Sequence, residues 1–507
     1  VLQIAIDLGL YKRPESGDVG TEELPQVELA DGLEEPLAEA LEKMSWTRPT
    51  RPVMVVPPRP WDRSLRGPYL TRKLSTKVPL VRGLFTDEGL RRLREQAEKG
   101  DLDTLFAGLN ALGSVPLRID PEAVDAYEFA FENDLGVKKM PRRRPFSVPA
   151  LPDGFSELPY RQQKKLKERR KKAKEREQGR KTLCVFTSHD IQTARHLSQF
   201  REIYLPYNVD TRQRTYPTAW FNHQRSDGIR AMFRFARAKR VGLTGGYWLA
   251  VAVATLGGFD KVDKATLDER YLWTDFNSDV ICDIAENWRE SRHWIEADKP
   301  FQFLAACREW KAYVDSGLSD DFETTLPIPR DGTNSGVQHL SGMTRDRREA
   351  ALVNLVPGEE GQDAYAKVAG AVEEAMRYEV ASEGEKADLA QKYLAFEGVP
   401  RGLAKRPVMT YSYSSGRWGF RSQILADYMD PLEERVLAGD LGDHPFGVEE
   451  EIKASASFAA SLIYTEVQTM LSSASAVMRW LTHVASTLAH EGKPVRWKTP
   501  VGFEVEH

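Results

Sequence analysis

Residues 330–342 constrain this chain more than any other stretch, because they place one acidic side chain between an apolar run and a glycine-rich segment. The segment reads RDGTNSGVQHLSG, and the run before it, TLPIP at residues 325–329, predicts a strand. A carboxylate at a strand end, beside bare backbone, suits a hard divalent cation that shares its oxygen ligands with a phosphate. An Asp-Gly turn and a helix with Asn334 or Ser335 as its N-cap explain the same residues. Other stretches must decide between the two interpretations.

Bulk composition favours a large globular protein. The 507 residues are 41% hydrophobic and 29% charged, and this length predicts about three domains. The most apolar stretch, residues 247–258, is shorter than the roughly 20 residues that a membrane-spanning helix needs, so we expect no membrane partner. Three scattered cysteines without a Cys-x-x-Cys pair argue against a disulfide framework and a zinc site. Because the chain begins without methionine or a basic leader, we expect it to start inside a longer protein.

Positive charge is concentrated in one block, although the formal net charge is only -4. Residues 138–181 are rich in lysine and arginine and include the run KKLKERRKKAK at residues 164–174. Strong helix formers with almost no apolar face predict a long exposed helix over residues 158–180. Such a block fits a grip on the phosphates of a nucleic acid. A solvated helix face or a localisation signal is the alternative.

Two arginines follow an apolar, strand-like run at residues 203–209. Arg212 and Arg214 lie on the same side of an extended chain, where two guanidinium groups can hold phosphate oxygens or sugar hydroxyls. The alternative is that they pair with a local carboxylate such as Asp210.

Residues 401–416 form the second strong motif. On a helix, Arg401, Lys405, Met409 and Tyr413 recur every four residues and share one face. Two cations at one end and a phenol at the other suit a triphosphate and its nucleoside. A helix with snorkelling cations and a tyrosine packed in the core is the alternative.

In their order along the chain, these motifs resemble those of the single-subunit DNA-directed RNA polymerases of bacteriophages and mitochondria. Residues 331–339 are similar to the first palm motif of that family, and residues 401–413 to its fingers-helix motif, with the same internal spacing. Further landmarks are VVPP at residues 55–58, residues 206–214 and the closing residues 497–503. Ordered landmarks over nearly the whole chain make the resemblance specific.

The resemblance implies an α+β, predominantly helical chain with the right-hand polymerase fold of thumb, palm and fingers. It predicts the following regions: a partial N-terminal promoter-handling domain (1–115), a thumb with the basic helix (116–200), a palm (201–230 and 322–346), a helical palm insertion (231–321) and incomplete fingers (347–507). From residue 362 onward we expect largely helical structure.

The resemblance further implies nucleotidyl transfer assisted by two Mg²⁺ ions. Asp331, with the Gly332 carbonyl beside it, would hold metal. Lys405 would neutralise and protonate the leaving pyrophosphate, Arg401 would hold the γ-phosphate, and Tyr413 would select the ribose.

Other residues match binding positions of the family. Asp260 and Lys261 match a pair that approaches the triphosphate, and Tyr365 matches an aromatic residue beside the palm. The resemblance assigns contacts with template and growing RNA to Arg212, Arg214, Gln338 and His339.

One position separates RNA synthesis from DNA synthesis. DNA polymerases of the bacterial repair type have a similar palm and helix but place a glutamate five residues after the metal aspartate, where it blocks a ribose 2′-hydroxyl. Gly336 occupies that position here and leaves room for the hydroxyl, which favours ribonucleotides. A template-dependent DNA polymerase and a non-catalytic nucleic-acid-binding relative are the alternatives.

Some residues depart from the family pattern. In the family, the second metal aspartate follows a histidine in a late motif, and no residues after Tyr413 supply that motif here. The pair His189-Asp190 lies upstream of Asp331, in the wrong order, and predicts a loop or helix start. Pro407 falls inside the proposed helix, and Ser414 replaces a glycine often found after the tyrosine. We therefore expect a fragment that lacks both termini and is inactive alone.

The resemblance also implies partners and a location. The expected partners are a DNA template with its promoter, nascent RNA and ribonucleoside triphosphates, bound by a monomer. The expected location is the cytoplasm of a phage-infected bacterium, with the mitochondrial matrix as the alternative.

Overall fold

The computed structural model describes residues 51–506, apart from residues 85, 153, 359, 360, 439 and 440, and two short strands before them. The helices are α1 (Arg72–Ser75), α2 (Asp87–Lys99), α3 (Asp103–Gly113), α4 (Pro121–Glu132), α5 (Tyr160–Leu197), α6 (Asp227–Ala231), α7 (Gly242–Gly257), α8 (Leu267–Phe276), α9 (Ser278–Glu286), α10 (Pro300–Asp315), α11 (Ser335–Thr344), α12 (Arg347–Leu352), α13 (Ala364–Ala381), α14 (Ala387–Phe396), α15 (Arg401–Tyr411), α16 (Arg417–Ile424), α17 (Asp430–Ala438), α18 (Glu449–Met470) and α19 (Ser472–His490). The strands are β1 (Tyr11–Lys12), β2 (Glu28–Leu29), β3 (Val81–Arg82), β4 (Leu117–Ile119), β5 (Tyr207–Asp210), β6 (Thr215–Pro217), β7 (Phe233–Phe235), β8 (Lys239–Arg240), β9 (Glu323–Thr324), β10 (Arg496–Lys498) and β11 (Glu504–Glu506).

Helices dominate this structure, and its sheets have only two or three strands. The predicted α+β, predominantly helical class is therefore confirmed. Within the described part of the chain, no helix combines the length and the apolar character that a membrane crossing needs.

The chain divides into two compact units. The first comprises residues 1–119 and 188–236, and the second comprises residues 120–187 and 237–507. These units are coarser than the predicted division into N-terminal domain, thumb, palm, insertion and fingers, which stays a prediction.

The first unit is built on a small mixed sheet. Strand β3 pairs in parallel with β5, and β5 continues antiparallel into β6, with Val81 opposite Val209. A second pair, β4 with β7, is antiparallel. The buried Trp61 donates its indole N–H to the Tyr207 carbonyl at 2.8 Å, which fixes the residues before the sheet to β5.

Part of the second unit is formed by helices α7 to α10, between Gly242 and Asp315. Helix α7 packs against α8 and α10, and α9 packs against α10. The buried Thr274 hydroxyl donates to the Ala250 carbonyl at 2.7 Å, which ties α8 to α7. Trp294 is fully buried before α10.

The remainder of the second unit has its core among α13 to α16, α18 and the start of α19. Tyr393 is fully buried in α14 and donates its hydroxyl to the Ser455 carbonyl of α18 at 3.0 Å. Glu349 of α12 is also buried, and its carboxylate accepts the backbone N–H groups of Ser473 (2.7 Å) and Ala474 (3.0 Å). These amides belong to the first turn of α19, where a carboxylate complements the helix dipole. Helix α12 is thereby anchored to α19.

The basic helix is longer than the sequence predicts, because α5 continues to Leu197. Its basic part is packed within the second unit. Lys172 pairs with Glu433 at 3.2 Å, and Arg176 lies 3.9 Å from Glu434 and 3.9 Å from the ring centre of Phe146. These contacts tie the middle of the helix to other residues of the second unit.

His189-Asp190 lies inside α5, so the predicted loop or helix start is wrong. Asp190 is 2% exposed, and its carboxylate accepts hydrogen bonds from both terminal nitrogens of Arg225, at 2.5 and 2.8 Å. Burial raises the pKa of Asp190, and the arginine opposes that effect. The pair is therefore a buried structural contact.

Candidate active site

Asp331 lies in an exposed loop directly before α11. Its Oδ1 accepts the backbone N–H of Gly332 at 2.9 Å. The predicted strand at residues 325–329 is wrong, since β9 ends at Thr324 and residues 325–331 pair with no strand in the part of the chain that the structure describes. The prolines at 327 and 329 explain this, because proline has no N–H to donate.

Asn334 begins α11. It is the N-cap, has the left-handed φ of 49°, and its Oδ1 accepts the Val337 N–H at 3.4 Å. The predicted helix cap is thus confirmed at Asn334, whereas the structure assigns no turn at Asp331-Gly332. The cap uses Asn334 and leaves the Asp331 carboxylate outside it.

Gln338 and His339 have different surroundings. The Gln338 Nε2 donates to the Val353 carbonyl at 2.8 Å, and its Oε1 lies 3.1 Å from where a Cβ on Gly332 would lie. Gln338 therefore buttresses the Asp331 loop. His339 is exposed, so of the two it is the one with a side chain available to nucleic acid.

Helix α15 carries the second motif from Arg401 to Tyr411. Lys405 is exposed, and among the described residues it makes no ion pair or side-chain hydrogen bond. Pro407 lies within the helix and is buried, so the helix tolerates one missing N–H donor.

Tyr413 does not continue the helical face as predicted. Ser412 is the C-cap of α15, and the Tyr413 N–H donates to the Thr410 carbonyl at 3.0 Å in the turn beyond it. Half of the Tyr413 side chain is exposed. The tyrosine therefore stands in the turn just beyond the end of α15, eight residues after Lys405.

Arg401 is held by a carboxylate that the sequence did not reveal. Its Nε donates to Asp363 Oδ2 at 2.5 Å, and its guanidinium carbon lies 5.1 Å from the ring centre of Tyr365. Asp363 also caps α13 by accepting the N–H groups of Tyr365 and Ala366. Burial opposes ionisation of Asp363, but the hydrogen bonds from Arg401 and these amides hold its pKa below its usual range. The only sequence signal for Asp363 is that an aspartate directly before a helix is a typical N-cap.

Tyr365 lies against the Arg401 guanidinium. The residue is 7% exposed. Burial raises the pKa of Tyr365; the Arg401 guanidinium opposes this, and the charges of Asp363 and Asp331 and the Tyr413 phenol add to it. Asp331, Arg401 and Tyr413 therefore lie within electrostatic reach of one buried side chain, although they are up to 82 residues apart in the chain.

Among the described residues, no hydrogen bond joins the side chains of Asp260 and Lys261 to the residues around Tyr365. They occupy the 3₁₀ segment Phe259–Lys264 with left-handed φ values of 50° and 63°. Both side chains are exposed, and among the described residues neither makes a side-chain hydrogen bond or ion pair. Backbone strain of this kind is typical of functional loops, and their predicted role at the triphosphate stays a prediction.

Arg212 and Arg214 belong to the turn between β5 and β6 in the first unit. Arg212 donates from Nε (3.0 Å) and from a terminal nitrogen (2.8 Å) to Asp210 Oδ2, so for this residue the local pairing is present. Both backbone amides also donate to Asp210. Burial opposes the charge on Asp210, but these donors lower its pKa. The two side chains are exposed, and their predicted contact with nucleic acid stays a prediction.

The residues around Asp331 fit part of a metal site. Within the described ranges, no three His, Cys, Asp or Glu residues are grouped as a metal-binding cluster. The Asp331 carboxylate and the Gly332 carbonyl are hard oxygen donors of the type that Mg²⁺ prefers. Two such donors suit an ion that takes its remaining ligands from a phosphate, water or other residues.

Ser414 adopts a left-handed backbone with φ of 66°, where glycine is favoured. Ser414→Gly is expected to stabilise the turn after α15 by about 1 kcal/mol, which corresponds to roughly fivefold slower amide hydrogen exchange there. Hydrogen exchange read by mass spectrometry on peptides covering residues 410–416 measures it. Ser422→Gly, inside α16, is the matched control and should accelerate local exchange. Faster exchange in the Ser414 variant would contradict the prediction.

Two family models match this chain. A model described as DNA-dependent RNA polymerase matches residues 239–507, and one described as DNA-directed RNA polymerase N-terminal matches residues 33–114. The first alone covers more than half of the chain. The chain belongs to the DNA-dependent RNA polymerase family. The resemblance to single-subunit polymerases is thereby confirmed, and the family implies a metal-dependent nucleotidyl transfer.

Curated relatives of this polymerase chain are organellar. DNA-directed RNA polymerase 2, chloroplastic/mitochondrial, of Arabidopsis thaliana is 33% identical over 462 residues, which are 89% of this chain and 43% of the relative. The mitochondrial DNA-directed RNA polymerase of Mus musculus is 33% identical over 464 residues, 89% of this chain and 36% of the relative. The chain thus spans less than half the length of these relatives. Neither they nor the family models favour the DNA polymerase alternative.

The predicted location in a phage-infected bacterium is wrong. The relatives carry mitochondrial or chloroplastic names, including a third from Nicotiana sylvestris, 30% identical over 461 residues that are 89% of this chain and 42% of the relative. The error has a simple cause. Motifs that bind metal and triphosphate serve the same chemistry in phage and organelle enzymes, so they do not separate the two sources.

Proposed function

We propose that the polymerase containing this chain copies DNA into RNA from ribonucleoside triphosphates, with Mg²⁺ as its metal, in a mitochondrion or a plastid. One observation supports the proposal most, namely that the two motifs meet. A Cβ on Gly336, five residues after Asp331, would lie 2.2 Å from the Oγ of Ser412, the neighbour of Tyr413, and the family motifs give Asp331, Arg401 and Tyr413 roles in one reaction. The names of the relatives support the organelle.

Asp331 and Gly332 would hold the metal. Bound Mg²⁺ supplies positive charge that activates the RNA 3′-hydroxyl and stabilises the leaving pyrophosphate. The exposed Asp331 carboxylate is supported by the Gly332 N–H, and Gln338 packs against the same glycine. This support keeps the loop in one geometry, which costs the reaction less reorganisation.

The triphosphate would bind along α15. Lys405 offers an ammonium group that is unpaired among the described residues and can donate a proton to pyrophosphate. The Arg401 guanidinium packs against the ring of Tyr365. A triphosphate would compete with Asp363 for the hydrogen bonds of this guanidinium. Tyr413 is half exposed at the helix end and would contact the ribose.

The nucleic acid would follow basic and polar surfaces. Exposed lysines of α5 suit a sequence-independent grip on phosphates that weakens with salt. Further proposed contacts with template, promoter, RNA or triphosphate belong to Arg212, Arg214, Gln338, His339, Asp260 and Lys261. The division into N-terminal domain (1–115), thumb (116–200), palm (201–230 and 322–346), insertion (231–321) and fingers (347–507) is part of the proposal, as is action as a monomer.

Extension of an RNA primer on a DNA template tests this function. The polymerase containing this chain is expected to add ribonucleotides complementary to the template, and a changed template base should change the nucleotide that is added. The reaction should stop when the divalent cation is chelated and resume on its return. Addition that ignores the template, or none under these conditions, would contradict the proposal.

A further inference from the structure

The bare α-carbon of Gly336 lies directly against Ser412. A Cβ atom at residue 336 would lie 2.2 Å from the Ser412 Oγ and 2.7 Å from its Cβ. Real carbon contacts are longer than this, so any side chain here forces a movement. The contact joins the first turn of α11, which follows Asp331, to the C-cap of α15, which precedes Tyr413.

Both sides of this contact are anchored to α19. Helix α11 packs against α19, and its Val337 is only 1% exposed. On the other side, the buried Tyr411 shares a 2.7 Å hydrogen bond between its hydroxyl and the Ser475 hydroxyl of α19. The helix end before Ser412 is therefore fixed. An added side chain at residue 336 is relieved most easily by moving the turn after Ser412, and that turn contains Tyr413.

We propose that Ser412 is a positioning residue for nucleotide addition, whose contact with Gly336 sets the distance between Tyr413 and the Asp331 loop. This inference rests on the proposed function and deepens it. A side chain at residue 336 acts by displacing Tyr413 through Ser412, and not by filling the space of a ribose 2′-hydroxyl.

A mutant cycle between the two residues tests the inference in the complete polymerase. Gly336→Ala is expected to lower kcat/KM for single-nucleotide addition by up to about 10²-fold, the loss typical of a misplaced group. The loss should affect matched NTP and dNTP alike, because Tyr413 contacts both. In the double variant Gly336→Ala/Ser412→Gly the space is restored, so kcat/KM should return to within about threefold of Ser412→Gly alone.

Gly342→Ala is the matched control, because Gly342 lies in the same helix as Gly336 and a Cβ on it would make only an ordinary 3.8 Å contact with Leu355. It should leave kcat/KM unchanged. If Gly336→Ala does not fold, Ser412→Val in the otherwise native chain pushes on Gly336 from the other side. Ser412→Val should lower kcat/KM for NTP and dNTP alike, whereas Ser412→Ala should not.

The outcomes separate this inference from the proposed function. A loss confined to NTPs, with no recovery in the double variant, would overturn the inference and leave a direct block of the ribose as the explanation. Independent effects of the two substitutions in an active polymerase would do the same. If the native polymerase itself adds no nucleotide on a template, the proposed function is what fails.

Discussion

Asp331→Asn is expected to lower the rate of nucleotide addition by about 10³-fold or more while leaving DNA binding intact. A carboxylate that holds a metal contributes several kcal/mol to the transition state, and each 1.4 kcal/mol is about tenfold in rate. Asparagine keeps an oxygen that can accept the Gly332 N–H, so the loop before α11 should retain its geometry. Single-turnover extension of an RNA primer measures the rate, and fluorescence anisotropy with labelled duplex measures binding.

Asp388→Asn is the matched control for the charge. Asp388 is an exposed carboxylate in the first turn of α14, outside the cluster around Tyr365. Its substitution should change the rate of addition less than about twofold, as surface substitutions usually do. If binding and extension fell together in the Asp331 variant, the role assigned to Asp331 would be wrong.

Lys405→Ala is expected to lower kcat by about 10³-fold, because it removes both a positive charge on the triphosphate and a proton donor for pyrophosphate. Lys405→Arg keeps the positive charge, but a guanidinium donates a proton far less readily than an ammonium. This variant should therefore recover only part of the lost kcat. Rapid-quench kinetics with increasing NTP separates kcat from KM.

The control for Lys405 is Lys453→Ala, which removes an exposed helical lysine that pairs with Glu449 four residues before it. Such surface pairs contribute at most about 1 kcal/mol to stability, and kcat should not change. Equal losses in the two variants would show that general positive charge, and not the position of Lys405, assists the reaction.

Local sequence patterns predicted the elements of the site well. A four-residue spacing placed Arg401 and Lys405 on one helix, and the residues after Asp331 predicted a helix cap at Asn334 or Ser335, of which the structure uses Asn334. These features depend on neighbours within a few residues, where backbone geometry fixes which side chains share a face. The position of Tyr413 was missed because α15 ends at Tyr411, a boundary that spacing alone does not mark.

Contacts between distant segments were not predictable in the same way. Asp363 pairs with Arg401 across 38 residues, and Tyr411 meets Ser475 across 64. Gly336 is the clearest case. Its missing side chain indicated room for a ribose hydroxyl, whereas in the fold the nearest atoms belong to Ser412. A single sequence shows that a residue is small but not what packs against it.

The most direct test of the proposed function compares a ribonucleotide with its deoxyribonucleotide at one template position. In single-nucleotide addition by the complete polymerase, under single-turnover conditions, we expect the matched NTP to have a kcat/KM about 10²-fold or more above that of the matched dNTP. The preference should move to a different base when the template base is changed. Equal or better use of the dNTP, or a preference that does not follow the template, would contradict the proposal that this site makes RNA on a DNA template.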